Sequence, residues 1–90
     1  MGQQLGVIHT FTMSGTSQAT AAFSAQTYRV RIATEAQPAY FSNPAAAPTA
    51  TANDNILGAS SVDYIDVVPG QKIAVLQAGT AGKVTITELL

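Results

Sequence analysis

Short segments of alternating apolar and polar residues, closed off by Gly, Pro, Asn or Ser, run the length of the chain, and none carries a convincing 3.6-residue period. That pattern selects strands over helices. Residues 5–13 alternate with Leu5, Val7, His9, Phe11 and Met13 on one side, and Ser14-Gly15-Thr16 ends the run. A weaker segment, Ala19 to Ser24, is anchored by Phe23. Thr27 to Thr34 is the clearest: Tyr28, Val30 and Ile32 point toward a core, and Thr27, Arg29, Arg31 and Ala33 point away from it. Pro38 to Ser42 follows, with Tyr40 and Phe41 on opposite faces. Val62 to Val68, Gln71 to Ala78 and Lys83 to Leu89 complete about seven strands at roughly ten-residue spacing. The expected fold is all-β, a small antiparallel β-sandwich, Ig-like or jelly-roll-like.

The connections carry further information. Pro69-Gly70 has the type II turn pattern, which does not match the twist of a tight hairpin. It reads as a corner taking the chain from one sheet to the other. Gly79-Thr80-Ala81-Gly82 reads as an ordinary hairpin loop. Residues 43–56, NPAAAPTATANDNI, form a low-complexity loop, because Pro44 and Pro48 cannot donate ladder hydrogen bonds and Asn53-Asp54-Asn55 favours a turn. The chain thus divides into an N-terminal strand or arm, 1–16, and a sandwich body, 17–90, that carries this long loop.

Two successive segments are apolar on both faces. Ile65 and Val67 oppose Val62, Tyr64 and Val68; Ile73 and Val75 oppose Ala74, Leu76 and Ala78. A free-standing antiparallel sandwich needs only one apolar face per sheet. The second face must be covered by the N-terminal segment folding across, by a symmetry mate, by a different protein, or by the chain's own long loop. Covering Leu76, Tyr64 and Val68 would contribute about 5 kcal/mol, comparable with the net stability of a small domain. Tyr64, Val68, Leu76 and Ala78 are therefore the candidate contact face, with Arg29 and Arg31 supplying polar contacts and Leu5 and Val7 belonging to a candidate N-terminal arm.

The totals agree with a protein that meets other proteins. Ninety residues make one domain with a small core, whose stability gains from partner subunits. Four basic and five acidic residues are too few to track a phosphate backbone, and sparse charge does little to keep a domain monomeric. The absence of cysteine removes disulfides, thiolate catalysis and zinc–cysteine sites. The first ten residues, MGQQLGVIHT, lack the basic region and apolar run of a signal peptide. Gly6 stands where a myristoylation site needs Ser or Thr, and no stretch approaches a membrane-spanning length.

Catalytic chemistry finds little to work with. His9, the only histidine, has no nearby carboxylate in sequence and reads as structural. Asp63 and Asp66 point to opposite faces of one strand, and Glu35, Asp54 and Glu88 are scattered. Asn53-Asp54-Asn55 lacks the spaced carboxylates of a calcium loop. No glycine-rich segment is followed by the helix that a phosphate cradle needs. The expectation is a non-enzymatic protein without metal or cofactor.

Taken in order, several weak motifs form a recognisable series. TYRVRI makes one strand, and the aromatic strand AYF leads into an NP…PTAT loop; DYIDVVPGQKIAVL and VTITEL close the chain. Over residues 17–89 this series resembles a group of small virion structural proteins of tailed bacteriophages. The resemblance implies a capsid decoration or cement protein that binds the major capsid protein or other virion proteins. It implies a homo-oligomer, dimer or trimer, located at the virion surface and assembled in the bacterial cytoplasm. A tail- or head-fibre-associated module is the alternative. A small carbohydrate-binding module, with Tyr40 stacking on a sugar, is a third reading from the residues alone.

Overall fold

The computed structural model describes residues 5–89. Eight strands are formed: β1 Leu5–Thr12, β2 Gln18–Ala19, β3 Arg29–Thr34, β4 Ala39–Phe41, β5 Asn55–Leu57, β6 Val62–Asp66, β7 Ala74–Gln77 and β8 Lys83–Leu89. They build two four-stranded antiparallel sheets, β1-β8-β3-β6 and β2-β7-β4-β5. Strand β1 thus lies beside β8, β2 beside β7, β3 beside β6 and β4 beside β5. The chain behaves as one long hairpin, turning between β4 and β5, that has been rolled into a sandwich. This is the jelly-roll order.

The core follows from the alternation. Val30 and Ile32 of β3, Val84 and Ile86 of β8, and Ile73 and Val75 at β7 are fully buried between the sheets. Met13, Phe23, Phe41, Leu57 and Val67 join them, and Phe11 and Ile65 pack against the edge of the cluster.

The corner at Pro69-Gly70 forms as its residues require. Gln71 N–H donates to the Val68 carbonyl at 3.1 Å. Gly70 takes a φ of 89°, which a side chain would disfavour. It carries the chain from β6 in the first sheet to β7 in the second. The segment Gly79–Gly82 is not the expected hairpin loop: β7 and β8 lie in opposite sheets, so it is another crossover. Gly82 allows a close approach there, because a Cβ would sit 2.7 Å from that of Gln37.

Three strand readings are corrected. Tyr28 is exposed and precedes β3, while its neighbour Thr27 is buried. The Ala19–Ser24 segment yields only the two-residue β2, although Phe23 is buried as an anchor. Asn55–Leu57 leaves the long loop to pair with β4 as β5.

In β1 the register shifts: Leu5 faces Leu89 but Ile8 faces Thr87, so Gly6 and Val7 stand against Glu88 alone. This bulge changes the phase of the strand. His9 and Phe11, opposite Ile86 and Val84, point inward, whereas Leu5 is set on the outer face and shares no side with them. Of the expected N-terminal arm, residues 5–8 begin β1, and residues 1–4 lie outside the described residues.

Candidate functional site

Residues opposite one another in an antiparallel sheet share a face. The register of the first sheet therefore lays out its outer surface in three rows. Leu5, Leu89, Arg29 and Asp66 form one; Ile8, Thr87, Arg31 and Tyr64 the next; Thr10, Thr85, Ala33 and Val62 the third. Leu5 (68%), Ile8 (60%), Tyr64 (56%) and Val62 (48%) are strongly exposed for large apolar side chains. They occupy the two flanks of the sheet, and β3 sets both arginines between them. Arg29 Nε donates to Asp66 Oδ1 at 3.0 Å across exposed surface. Arg31 makes no ion pair among the described residues. An arginine without an ion-pair partner among the described residues, set among apolar groups, suits a protein surface that offers a carboxylate or carbonyl oxygens.

The candidate contact residues do not share one surface. Tyr64, Arg29 and Arg31 lie together on this face, and Leu5 is at its β1 edge. Leu76 lies on the outer side of the second sheet, in a row with Tyr40 and Ile56. Ala78 follows the end of β7, and Val68 is exposed at the corner between the sheets. Val7 is exposed within the β1 bulge. The physical reason is the corner itself: segments joined by Pro69-Gly70 enter opposite sheets, so their second faces look in opposite directions.

Those two outer faces are treated differently. The β4–β5 loop folds back over the second sheet. Ala45 bridges to Lys72, and Ala50 N–H donates to Ser17 Oγ at 2.8 Å. Thr51 N–H donates to Asp54 Oδ2 at 2.7 Å, closing the expected turn. Ala74 and Ala50 are buried as a result, and Leu76 is half-buried. Between loop and sheet remains an open groove of about 660 Å³, lined by Ser17, Ala19, Pro48, Ala50, Thr51 and Leu76 among others. The chain's own loop covers the second face of β7. Nothing among the described residues covers that of β6.

A second constellation lies inside. Glu88 is opposite Val30 on the inner phase of β8 and is only 1% exposed. Its Oε1 accepts Thr27 Oγ1 at 2.6 Å and Ser24 N–H at 3.0 Å, and its Oε2 accepts His9 Nε2 at 2.8 Å. Ser24 and Thr27 hydroxyls bond each other at 2.7 Å. The imidazole meets the Phe23 ring edge-on at 5.8 Å between centroids. Burial, the largest single influence, pushes the carboxyl upward. The bonds from Thr27, Ser24 and His9 together outweigh it and hold the group below the usual glutamate range. The Thr27 hydroxyl reaches the carboxylate and the Ser24 hydroxyl reaches Thr27; neither bonds the imidazole, so no nucleophile–base contact exists here. The arrangement ties β1 and β8 to the turn before β3.

The sequence reading passed over this pair because its members lie 79 positions apart. A usable signal was present. His9 and Glu88 each sit on the apolar phase of an alternating strand, where a charge needs a partner.

No protein-family profile matches the sequence, and no curated protein matches it. Among solved structures, a chain described under "Bacillus endospore appendages form a novel family of disulfide-linked pili" is similar over 100% of this chain and 92% of its own length. Its TM-score is 0.48, at 13% identity.

Proposed function

We propose that this protein is a non-enzymatic structural component of a tailed-bacteriophage virion, a decoration protein that binds the major capsid protein and stabilises the shell. The observation that carries the docking part is the pair of exposed apolar flanks on the outer face of the first sheet. Four exposed apolar side chains flank an Arg31 that has no ion-pair partner among the described residues. Large apolar groups exposed on both flanks of one sheet face, with arginines between them, are what an interaction site with an apolar contact and polar centre would present. The virion part rests on the resemblance of residues 17–89 to small phage structural proteins. Many weak contacts repeated over a symmetric shell add to strong attachment, so one modest face per copy suffices.

Quantitative protein analysis of purified particles tests the reading. A copy number in fixed proportion to the major capsid protein supports it. A copy number matching tail proteins would replace it with a tail- or fibre-associated module, and absence from particles would overturn both.

A further inference from the structure

Each sheet has two edges, and three of the four are closed to a further strand. On the second sheet, β2 has two residues and β5 three, too few to template a ladder. On the first sheet, β6 carries Asp63 and Asp66, charges of the kind that discourage edge pairing. Strand β1 is different. Its eight residues, LGVIHTFT, include no Lys, Arg, Asp, Glu or Pro, and its one titratable group, His9, is turned inward onto Glu88.

The hydrogen-bond phase of β1 can be read directly. Met13 N–H donates to the Gly82 carbonyl, so Met13, Phe11 and His9 direct their backbone groups toward β8. Ile8, Thr10 and Thr12 therefore direct theirs away from the sheet. The Thr12 carbonyl accepts Gln18 Nε2 at 3.1 Å and keeps a second lone pair; the others meet no partner among the described residues.

We propose that two copies of this chain pair antiparallel through β1, across a two-fold axis at Thr10, joining their first sheets into one continuous sheet. This register sets Thr10 against Thr10 of the second copy and Ile8 against Thr12 of the second copy. All three positions have outward-facing backbone groups, giving about six ladder hydrogen bonds, two for each facing pair. No like charges meet at the seam, and a threonine–threonine pair is a favourable cross-strand contact. The strand is thus complementary to its own copy in backbone phase, side-chain character and charge, as a two-fold interface requires. Pairing also brings the exposed Leu5 and Ile8 of both copies onto one outer surface. The inference stands whether or not the protein belongs to a virion.

The test uses the full chain in solution. The protein has no cysteine, so Thr10→Cys introduces a single thiol. In the proposed dimer the two Cα atoms at position 10 lie about 5.5 Å apart, within disulfide range. Mild oxidation is expected to convert Thr10→Cys into a covalent dimer, while Tyr64→Cys, the corresponding outward position on β6, stays monomeric on a denaturing gel. Thr10→Pro removes an N–H that the fold does not use. It is expected to retain its β spectrum and sediment as a monomer where the unaltered chain sediments at twice that mass. A monomeric unaltered chain at high micromolar concentration would overturn the inference. So would a dimer in which Thr10→Cys fails to cross-link, or in which Tyr64→Cys cross-links in its place.

Discussion

At the scale of single residues, the decisive group is Glu88. A carboxylate this deeply buried is tolerable only because Thr27, Ser24 and His9 supply its hydrogen bonds. Glu88→Ala would leave those donors without an acceptor and is expected to cost about 3–5 kcal/mol, seen as a lowered midpoint in urea melts. Thr27→Val keeps the shape and deletes both hydroxyl contacts, with an expected loss of about 1–2 kcal/mol. The same group gives a pH dependence whose sign is fixed. Its carboxyl is held below the usual range in the folded chain, so the unfolded chain binds its proton at higher pH. The contribution is complete above the ordinary glutamate value, roughly 4.3, and is lost as the pH falls through the lower folded value. Melts between pH 7 and pH 3 are expected to show a shallower acid loss for Glu88→Gln than for the unaltered chain. Equal slopes would remove Glu88 as the cause.

At the scale of elements, alternation was informative where a strand pairs on both sides and poor where other contacts decide. Strand β8 lies between β1 and β3 and runs over Lys83–Leu89, the span its sequence indicates. The phase of β1 was not legible, because the bulge opposite Glu88 is a pairing event that neither strand records alone. Tyr28 was misplaced for a related reason: Thr27, a poorer core residue by type, is drawn inside by the Glu88 carboxylate. The β4–β5 loop looked featureless because its order comes from contacts with distant residues, chiefly Ser17 and Lys72. Ser17→Ala is therefore expected to speed hydrogen exchange at the Ala50 amide, leave β8 amides unchanged and lower global stability by no more than about 1 kcal/mol. Unchanged exchange at Ala50 would mean that the loop is held by other contacts.

At the scale of the whole molecule, the jelly roll gives two outer faces to two sheets made by the same chain. The loop lies over Leu76 on the second and leaves Ile56 exposed, while the first exposes Leu5, Ile8, Val62 and Tyr64 at its flanks and buries Thr87 and Leu89 between them. The second sheet is overlaid by residues 45–51, so Leu76, although apolar, already has a partner within the chain. Tyr64 has no such cover and stands in a row with Arg31, Thr87 and Ile8. Two substitutions of equal chemistry separate these roles. Leu76→Asp places a carboxylate under the loop and is expected to cost about 1–3 kcal/mol of stability; under the proposed decoration role it leaves attachment to stripped shells intact. Tyr64→Asp sets its charge on exposed surface beside Arg31; the fold is expected to keep its melting midpoint within a few degrees, and attachment to be lost. The readouts are thermal melts of the isolated protein and co-sedimentation with shells. If Leu76→Asp abolished attachment at an unchanged melting midpoint and Tyr64→Asp did not, the docking face would lie on the second sheet, and the loop would have to open to expose it.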